Sequence, residues 1–462
     1  LPADKLDRYL KLGYSRNDRV GTSYLEAQYE NNLKGEKKVV RYATDNSGNI
    51  VGSKVIAEGK QGDDLVLSVD IDLQTAVDDV VKNELTRTKQ QYGNTFLMDR
   101  AFAVMTNPKT GEILAMSGKQ LVTDEKTGKT ELQDYALGTF TSAYVSGSVA
   151  KGATVLAGHQ TGGLRPGQVR FDGPVTIGSL TKKSWKNMGY IDDKQALKMS
   201  SNVYMFLTAL DIAKAHYVPG RPVDIDTDAF GKIRDNFHKF GLGVKTGIDL
   251  PNEADGLAGT EKKPGKLMDL AIGQYDSYTP LQLAQYVSTV ANGGKRLEPH
   301  ILKEIHEPSP NPRKPGVLKE SVDVKVLNTL DMKQSWIERV QAGFKMVMQE
   351  PGGTGYNAFH DAPYGMAGKS GTAQTYYGGP RKDVNSRIDA KSIYTLSAIG
   401  YAPHDDPEVA IAVVVPWAYV GGTGPSPNMS IARKAMDTYF DLKEERQARK
   451  NARSGTEEAQ PQ

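Results

Sequence analysis

The chain has 462 residues and 50.4 kDa, enough for more than one domain and a sizeable core. Its 58 basic and 55 acidic residues leave a net charge of +3, too balanced to argue for a nucleic-acid partner. It contains no cysteine and seven scattered histidines without an H-E-x-x-H pair, which excludes thiol catalysis, cysteine-ligated zinc and disulfides and leaves no metal or cofactor motif.

Residues 1 to about 90 read as a polar, strand-rich region with charge-dense turns such as Gly35-Glu36-Lys37-Lys38, closed by a predicted helix over 73–86. Residues 91–443 begin and finish with strands and hold helices between them, an α/β arrangement. The first two strands, Ala103-Val104-Met105 and Ile113-Leu114-Ala115-Met116, flank a Pro/Gly turn and predict a hairpin.

Next comes Ser148-Val149-Ala150-Lys151. Residues three apart on a helix share a face, so the Lys151 amine can reach the Ser148 hydroxyl and serve as its base without a histidine. A second S-x-x-K, Ser179-Leu180-Thr181-Lys182, is followed by polar residues and reads as a solvated loop. The small apolar residues 152–158 after Lys151 instead suit a buried helix. Ser200-Ser201-Asn202 follows. Ser200 and Asn202 have a bland reading as helix caps, which both residue types favour.

K-[ST]-G occurs at 109–111, 126–128, 245–247 and 369–371. The first two sit in turns and the third leads into a loop ended by Pro251. Only Lys369-Ser370-Gly371 opens a predicted three-strand meander, over 369–376, 392–401 and 409–415. Such a strand presents Lys369, Ser370 and Thr372 along a cleft, and a central strand bordering a cleft accepts an extended peptide by backbone hydrogen bonds. The glycine pairs at 352–353, 378–379 and 421–422 lack the Lys-Ser/Thr of a phosphate loop and read as hinges of loops bordering that cleft. Tyr376 and Tyr377 either line it or pack on the strand. From about Leu442 the composition turns charged and polar; its first part extends the preceding helix and the last ten or so residues are expected to be disordered. No stretch approaches the roughly 18 apolar residues of a membrane span, so a soluble fragment is expected, with any anchor upstream of Leu1.

Ser148-x-x-Lys151, Ser200-x-Asn202 and Lys369-Ser370-Gly371, in that order, spell the signature of penicillin-binding proteins and class A β-lactamases. Further landmarks are Arg19-Val20-Gly21-Thr22-Ser23-Tyr24-Leu25-Glu26, Asp70-Ile71-Asp72-Leu73-Gln74, Phe240-Gly241-Leu242-Gly243, Thr246-Gly247-Ile248-Asp249-Leu250-Pro251, and Gly273-Gln274 through Thr279-Pro280-Leu281-Gln282-Leu283-Ala284. With them the chain resembles the class B penicillin-binding proteins, specifically the 2b type of Gram-positive cocci that serves cell elongation. It departs from them in Ser146, where the family usually has proline, and in Lys-Ser-Gly for Lys-Thr-Gly.

The resemblance implies a two-domain α/β protein: a strand-rich, dimerisation-type pedestal (1–90, truncated) and a penicilloyl-serine transferase fold with an antiparallel sheet covered by helices and an all-helical subregion (91–443); after it the composition predicts a polar, disordered tail (444–462). It implies a peptidoglycan D,D-transpeptidase, with Ser148 as nucleophile, Lys151 as a base kept neutral by burial and by Lys369, Ser200 as proton relay and Asn202 as a holder of substrate and Lys151. Ser370, Gly371 and Thr372 would bind substrate, the Thr372 N–H joining that of Ser148 as oxyanion donor. Stem peptides, covalent β-lactam inhibitors and, among partners, a membrane glycan polymerase and other elongation proteins follow from the same likeness, as does a place on the extracellular face of the cytoplasmic membrane. A β-lactamase is disfavoured, because no convincing deacylation base is present and about 90 residues precede the catalytic part. Glu307-Pro308-Ser309-Pro310-Asn311 matches E-x-x-x-N only by spelling. A D,D-carboxypeptidase and a non-catalytic scaffold stay open.

Overall fold

The computed structural model describes residues 1–457 except 125, 312 and 382. The chain forms two compact units: Leu1–Ser68, Gly247–Glu253 and His300–Asp323 make one, and Val69–Thr246, Ala254–Pro299 and Val324–Gln462 the other.

The smaller unit contains a hairpin of Val39–Thr44 with Ile50–Ala57 and a three-stranded antiparallel sheet ordered Leu318–Ser321, Leu302–His306, Asp64–Leu67. Asp45 Oδ1 shapes the hairpin turn by accepting the N–H groups of Ser47 and Asn49. Asp249 ties distant segments together: its carboxylate accepts the N–H groups of Ile301 and Leu302 (2.8 and 2.9 Å) and the Tyr29 hydroxyl (2.7 Å). The segment from Thr246 to Pro251 is thus a structural loop, as expected.

In the larger unit the elements run α1 (Ile71–Gln91), β1 (Arg100–Thr106), β2 (Ile113–Thr123), β3 (Thr130–Asp134), α2 (Lys151–Thr161), α3 (Asn202–Ile212), α4 (Pro280–Ala291), α5 (Gln334–Gln349), β4 (Ala367–Gln374), β5 (Ile393–Ala402), β6 (Val409–Val420) and α6 (Pro427–Glu457). The six strands form one sheet, β4-β5-β6-β1-β2-β3, antiparallel throughout. Strand β6 is buried along nearly its whole length, so its unbroken apolar run replaces alternation. Helix α1 starts where the Asp70 carboxylate caps the N–H groups of Asp72 and Leu73, and its stripe Leu73, Val77, Val81, Leu85 is buried.

Four expectations need correction. The helix expected over 73–86 runs from Ile71 to Gln91, and its buried stripe joins the core of the larger unit instead of ending the N-terminal region near 90. Strand β4 is an edge strand, not a central one. The segment around Ser179 is a short exposed hairpin, 175–177 with 180–182, held by an ion pair between Lys182 and Asp269. Finally, α6 extends past Leu442 as expected but runs on to Glu457, into the tail 444–462 expected to be disordered, and Arg446 bonds Asp70 and Asp72 at the start of α1. The rest of the tail expected to be disordered, 458–462, lies outside the described residues. Among the described residues no helix is long and apolar enough to cross a membrane.

Candidate active site

Ser148 lies in a single 3-10 turn, Gly147–Ala150, that runs straight into α2 at Lys151. The turn is pinned from two sides: Gly147 N–H donates to the Gly273 carbonyl (2.8 Å), and the Ser397 hydroxyl of β5 donates to the Ser146 carbonyl. A Cβ on Gly371 would lie 2.7 Å from that same Ser146 carbonyl oxygen, so the turn packs backbone on backbone against β4. On the other side of the turn, a Cβ on the landmark Gly273 would collide with the Gly147 carbonyl oxygen.

The Lys151 side chain is fully buried. Its amine donates to the Ser200 carbonyl (2.8 Å) and to Asn202 Oδ1 (2.6 Å) and lies within hydrogen-bond distance of the Ser200 hydroxyl (3.2 Å). A bond to Ser148, which helical spacing suggested, is not among them. The backbone of Ser200 is unusual at this contact. Its φ of +60° is a left-handed conformation that costs a non-glycine residue of order 1–3 kcal/mol. That geometry turns both Ser200 oxygens onto the amine. Ser200 is therefore no helix cap; Ser201 fills that position on α3, its Oγ accepting Tyr204 N–H.

Strand alternation divides the third motif. Lys369 and Gly371 are buried, whereas Ser370 is half-buried and Thr372 exposed on the accessible face. Lys369 donates to the Ser370 carbonyl at 3.0 Å, and the Ser370 hydroxyl donates to Thr354 Oγ1 at 2.7 Å. Among the described residues no carboxylate forms an ion pair with Lys151 or Lys369. Burial pushes the Lys369 amine down to about 7. Burial, then the Lys369 charge, hold the Lys151 amine well below its usual range, and Asp172 opposes them. The arrangement can therefore supply a neutral amine next to a serine at ordinary pH.

All eight residues singled out in the sequence come together here: Ser148, Lys151, Ser200, Asn202, Lys369, Ser370, Gly371 and Thr372. Four others were missed. Asp172 and Ser184 lie in polar stretches that gave no pattern, Thr354 in a Gly-rich loop read only as a hinge, and Ser397 inside a strand. Of the tyrosines, Tyr376 is 76% exposed and Tyr377 is buried against Trp417, ring centroids 4.8 Å apart. Gly378 and Gly379 line a cavity of about 770 Å³ with Lys89, Asp99 and Arg381.

The penicillin-binding protein transpeptidase domain matches residues 101–437, and the penicillin-binding protein dimerisation domain matches residues 1–67. Penicillin-binding protein 2A of Bacillus subtilis is 49% identical over 447 residues, covering 96% of this chain and 61% of that protein. Penicillin-binding protein 2B of Streptococcus pneumoniae is 37% identical over 452 residues, covering 95% of this chain and 63% of that protein. A solved structure of penicillin-binding protein 2B from S. pneumoniae strain R6 superposes with a TM-score of 0.83 at 36% identity, covering 96% of this chain and 70% of that one. The chain spans about three fifths of the length of these curated relatives. With both domains matched in the family's order and the motif residues gathered at one edge of its sheet, the chain belongs to the class B penicillin-binding proteins.

Proposed function

We propose that this chain is a peptidoglycan D,D-transpeptidase acting through a serine acyl-enzyme. The observation that carries the reading is the Lys151 amine, buried without a carboxylate partner and held by Ser200 and Asn202 one turn from Ser148. The neutral Lys151 amine takes the Ser148 proton as Ser148 Oγ attacks the carbonyl of the penultimate D-alanine. Ser200 relays that proton to the leaving D-alanine nitrogen. The N–H groups of Ser148 and Thr372 hold the oxyanion, where loss of one donor typically costs about 10²–10³ in rate. Lys369, Ser370 and Thr372 bind the terminal carboxylate, and Asn202 the substrate amide. An amine of a neighbouring stem peptide then attacks the acyl carbon, forming the cross-link and freeing Ser148. The unpaired edge of β4 suits this substrate, because an extended peptide can add to it as a further strand.

β-Lactams would acylate the same serine. The stem peptides place the working enzyme on the outer face of the cytoplasmic membrane, beside a glycan polymerase that supplies uncross-linked strands. The test is intact-mass spectrometry after incubation with benzylpenicillin. One persistent adduct on the wild-type chain and none on Ser148→Ala is expected. Rapid loss of the adduct with drug turnover would replace the reading by a hydrolase, and no adduct on intact wild type would favour a scaffold.

A further inference from the structure

We propose that Asp172, which belongs to none of the three motifs, is a positioning residue for acylation: its buried carboxylate, through the Ser184 and Ser201 hydroxyls, holds the start of α3 and with it Asn202 against Lys151. The proposal rests on the acyl-transfer reading of the site.

Asp172 is only 3% exposed, and its backbone N–H is anchored on the Gly189 carbonyl at 2.8 Å. Its Oδ2 accepts two hydroxyl protons, from Ser184 (2.9 Å) and from Ser201. Each hydroxyl has a single proton to give, so both serines are left with lone pairs to offer elsewhere. They offer them to the start of α3. Ser184 Oγ accepts the N–H groups of Asn202 (3.0 Å) and Val203 (3.1 Å), and Ser201 Oγ accepts that of Tyr204 (3.0 Å). One carboxylate therefore sets the orientation of the two hydroxyls that satisfy the first three amides of α3. Asn202 is the first residue of that helix, and its side chain makes the shortest bond to Lys151.

A structural cap alone does not call for a charge. Burying a carboxylate is costly when no cation pairs with it, and among the described residues no Lys, Arg or His forms an ion pair with Asp172. A neutral amide could accept the same hydroxyl protons more cheaply. The charge has a second recipient. The charged groups acting on the Lys151 amine are Lys369 from β4 and Asp172, with opposite signs. Lys369 and burial favour the neutral amine, and Asp172 limits how far they push it.

The test follows acylation of the full chain by benzylpenicillin, by intact mass, across pH for wild type, Asp172→Asn and Asp172→Ala. Asparagine keeps the volume and one acceptor oxygen and removes the charge, so it preserves the test if the alanine variant unfolds. The alanine variant, which has no acceptor for the two hydroxyls, should acylate about tenfold more slowly on the plateau through misalignment of Asn202, and the asparagine variant, which keeps one, should restore most of that rate. The midpoint of its alkaline rise should move to lower pH, because removing a negative charge favours the neutral amine. A wild-type plateau in the folded alanine variant, or an asparagine variant as slow as the alanine one, overturns the proposal. Absence of acylation in wild type is a separate outcome: it removes the acyl-transfer reading and with it this proposal, before any variant is compared.

Discussion

Gly147 lies so close to Thr372 that a Cβ on it would sit 2.5 Å from the Thr372 carbonyl oxygen, and its φ of +59° is left-handed. Side chains avoid that conformation, and the obstacle is strand backbone that cannot rotate away. Gly147→Ala should therefore lower stability by about 2 kcal/mol or more and abolish acylation by displacing Ser148 from β4. Urea unfolding together with penicillin-adduct formation checks this; wild-type acylation would show that the turn can shift.

Asn202 gives Lys151 its shortest hydrogen bond. Asn202→Ala leaves a buried amine short of an acceptor, a loss of about 1–3 kcal/mol, and acylation should slow by about 10²-fold. Asn202→Asp instead adds a negative charge beside the amine. That stabilises the ammonium, so the alkaline rise in acylation rate should move to higher pH. Rate–pH profiles of the two variants distinguish a lost contact from a changed charge.

Lys369 makes folding stability depend on pH. Its amine titrates near 7 in the folded chain and near 10.4 when unfolded. Between those values the unfolded state binds more protons, so stability rises with pH across that window and is lost as pH falls towards 7. Urea midpoints should increase from pH 7 to pH 9.5, with a shallower slope in Lys369→Met. An equal slope in that variant would assign the dependence to other groups.

Ser146 stands where the family usually has proline. Its φ of −86° is close to the proline value, and its Oγ is buried without a hydrogen-bond partner. Ser146→Pro should stabilise the chain by about 0.4–1 kcal/mol, mainly by restricting the unfolded state. A lower urea midpoint would show that the Ser146 N–H or the proline ring is not accommodated.

Thr354 accepts the Ser370 hydroxyl proton at 2.7 Å. Thr354→Val removes that acceptor and leaves Ser370 free to rotate. The benzylpenicillin concentration giving half-maximal acylation rate should rise about two- to tenfold, from the loss of about 0.5–1.5 kcal/mol. Thr354→Ser should restore it.

The sequence by itself made the candidate site residues and several of the elements legible. Three short motifs in order, the hairpin of 103–105 with 113–116, a helix over 73–86 and a meander after Lys369 were legible because they rest on local periodicity and on side-chain type. An α/β arrangement followed from them, and the family resemblance implied that the sheet is antiparallel and covered by helices. What only the tertiary structure decided depends on contacts between residues far apart in the chain. The edge position of β4 is set by the β4–β5–β6–β1 order, which no local pattern encodes. The long α6 persists because Arg446 meets Asp70 and Asp72, more than 370 positions away. The left-handed Ser200 brings its carbonyl and hydroxyl to the Lys151 amine, at the cost of local strain no propensity would predict. Asp172 and Ser184 stayed silent for the same reason: a carboxylate and a hydroxyl in polar stretches gain meaning only once folding buries them beside the start of α3.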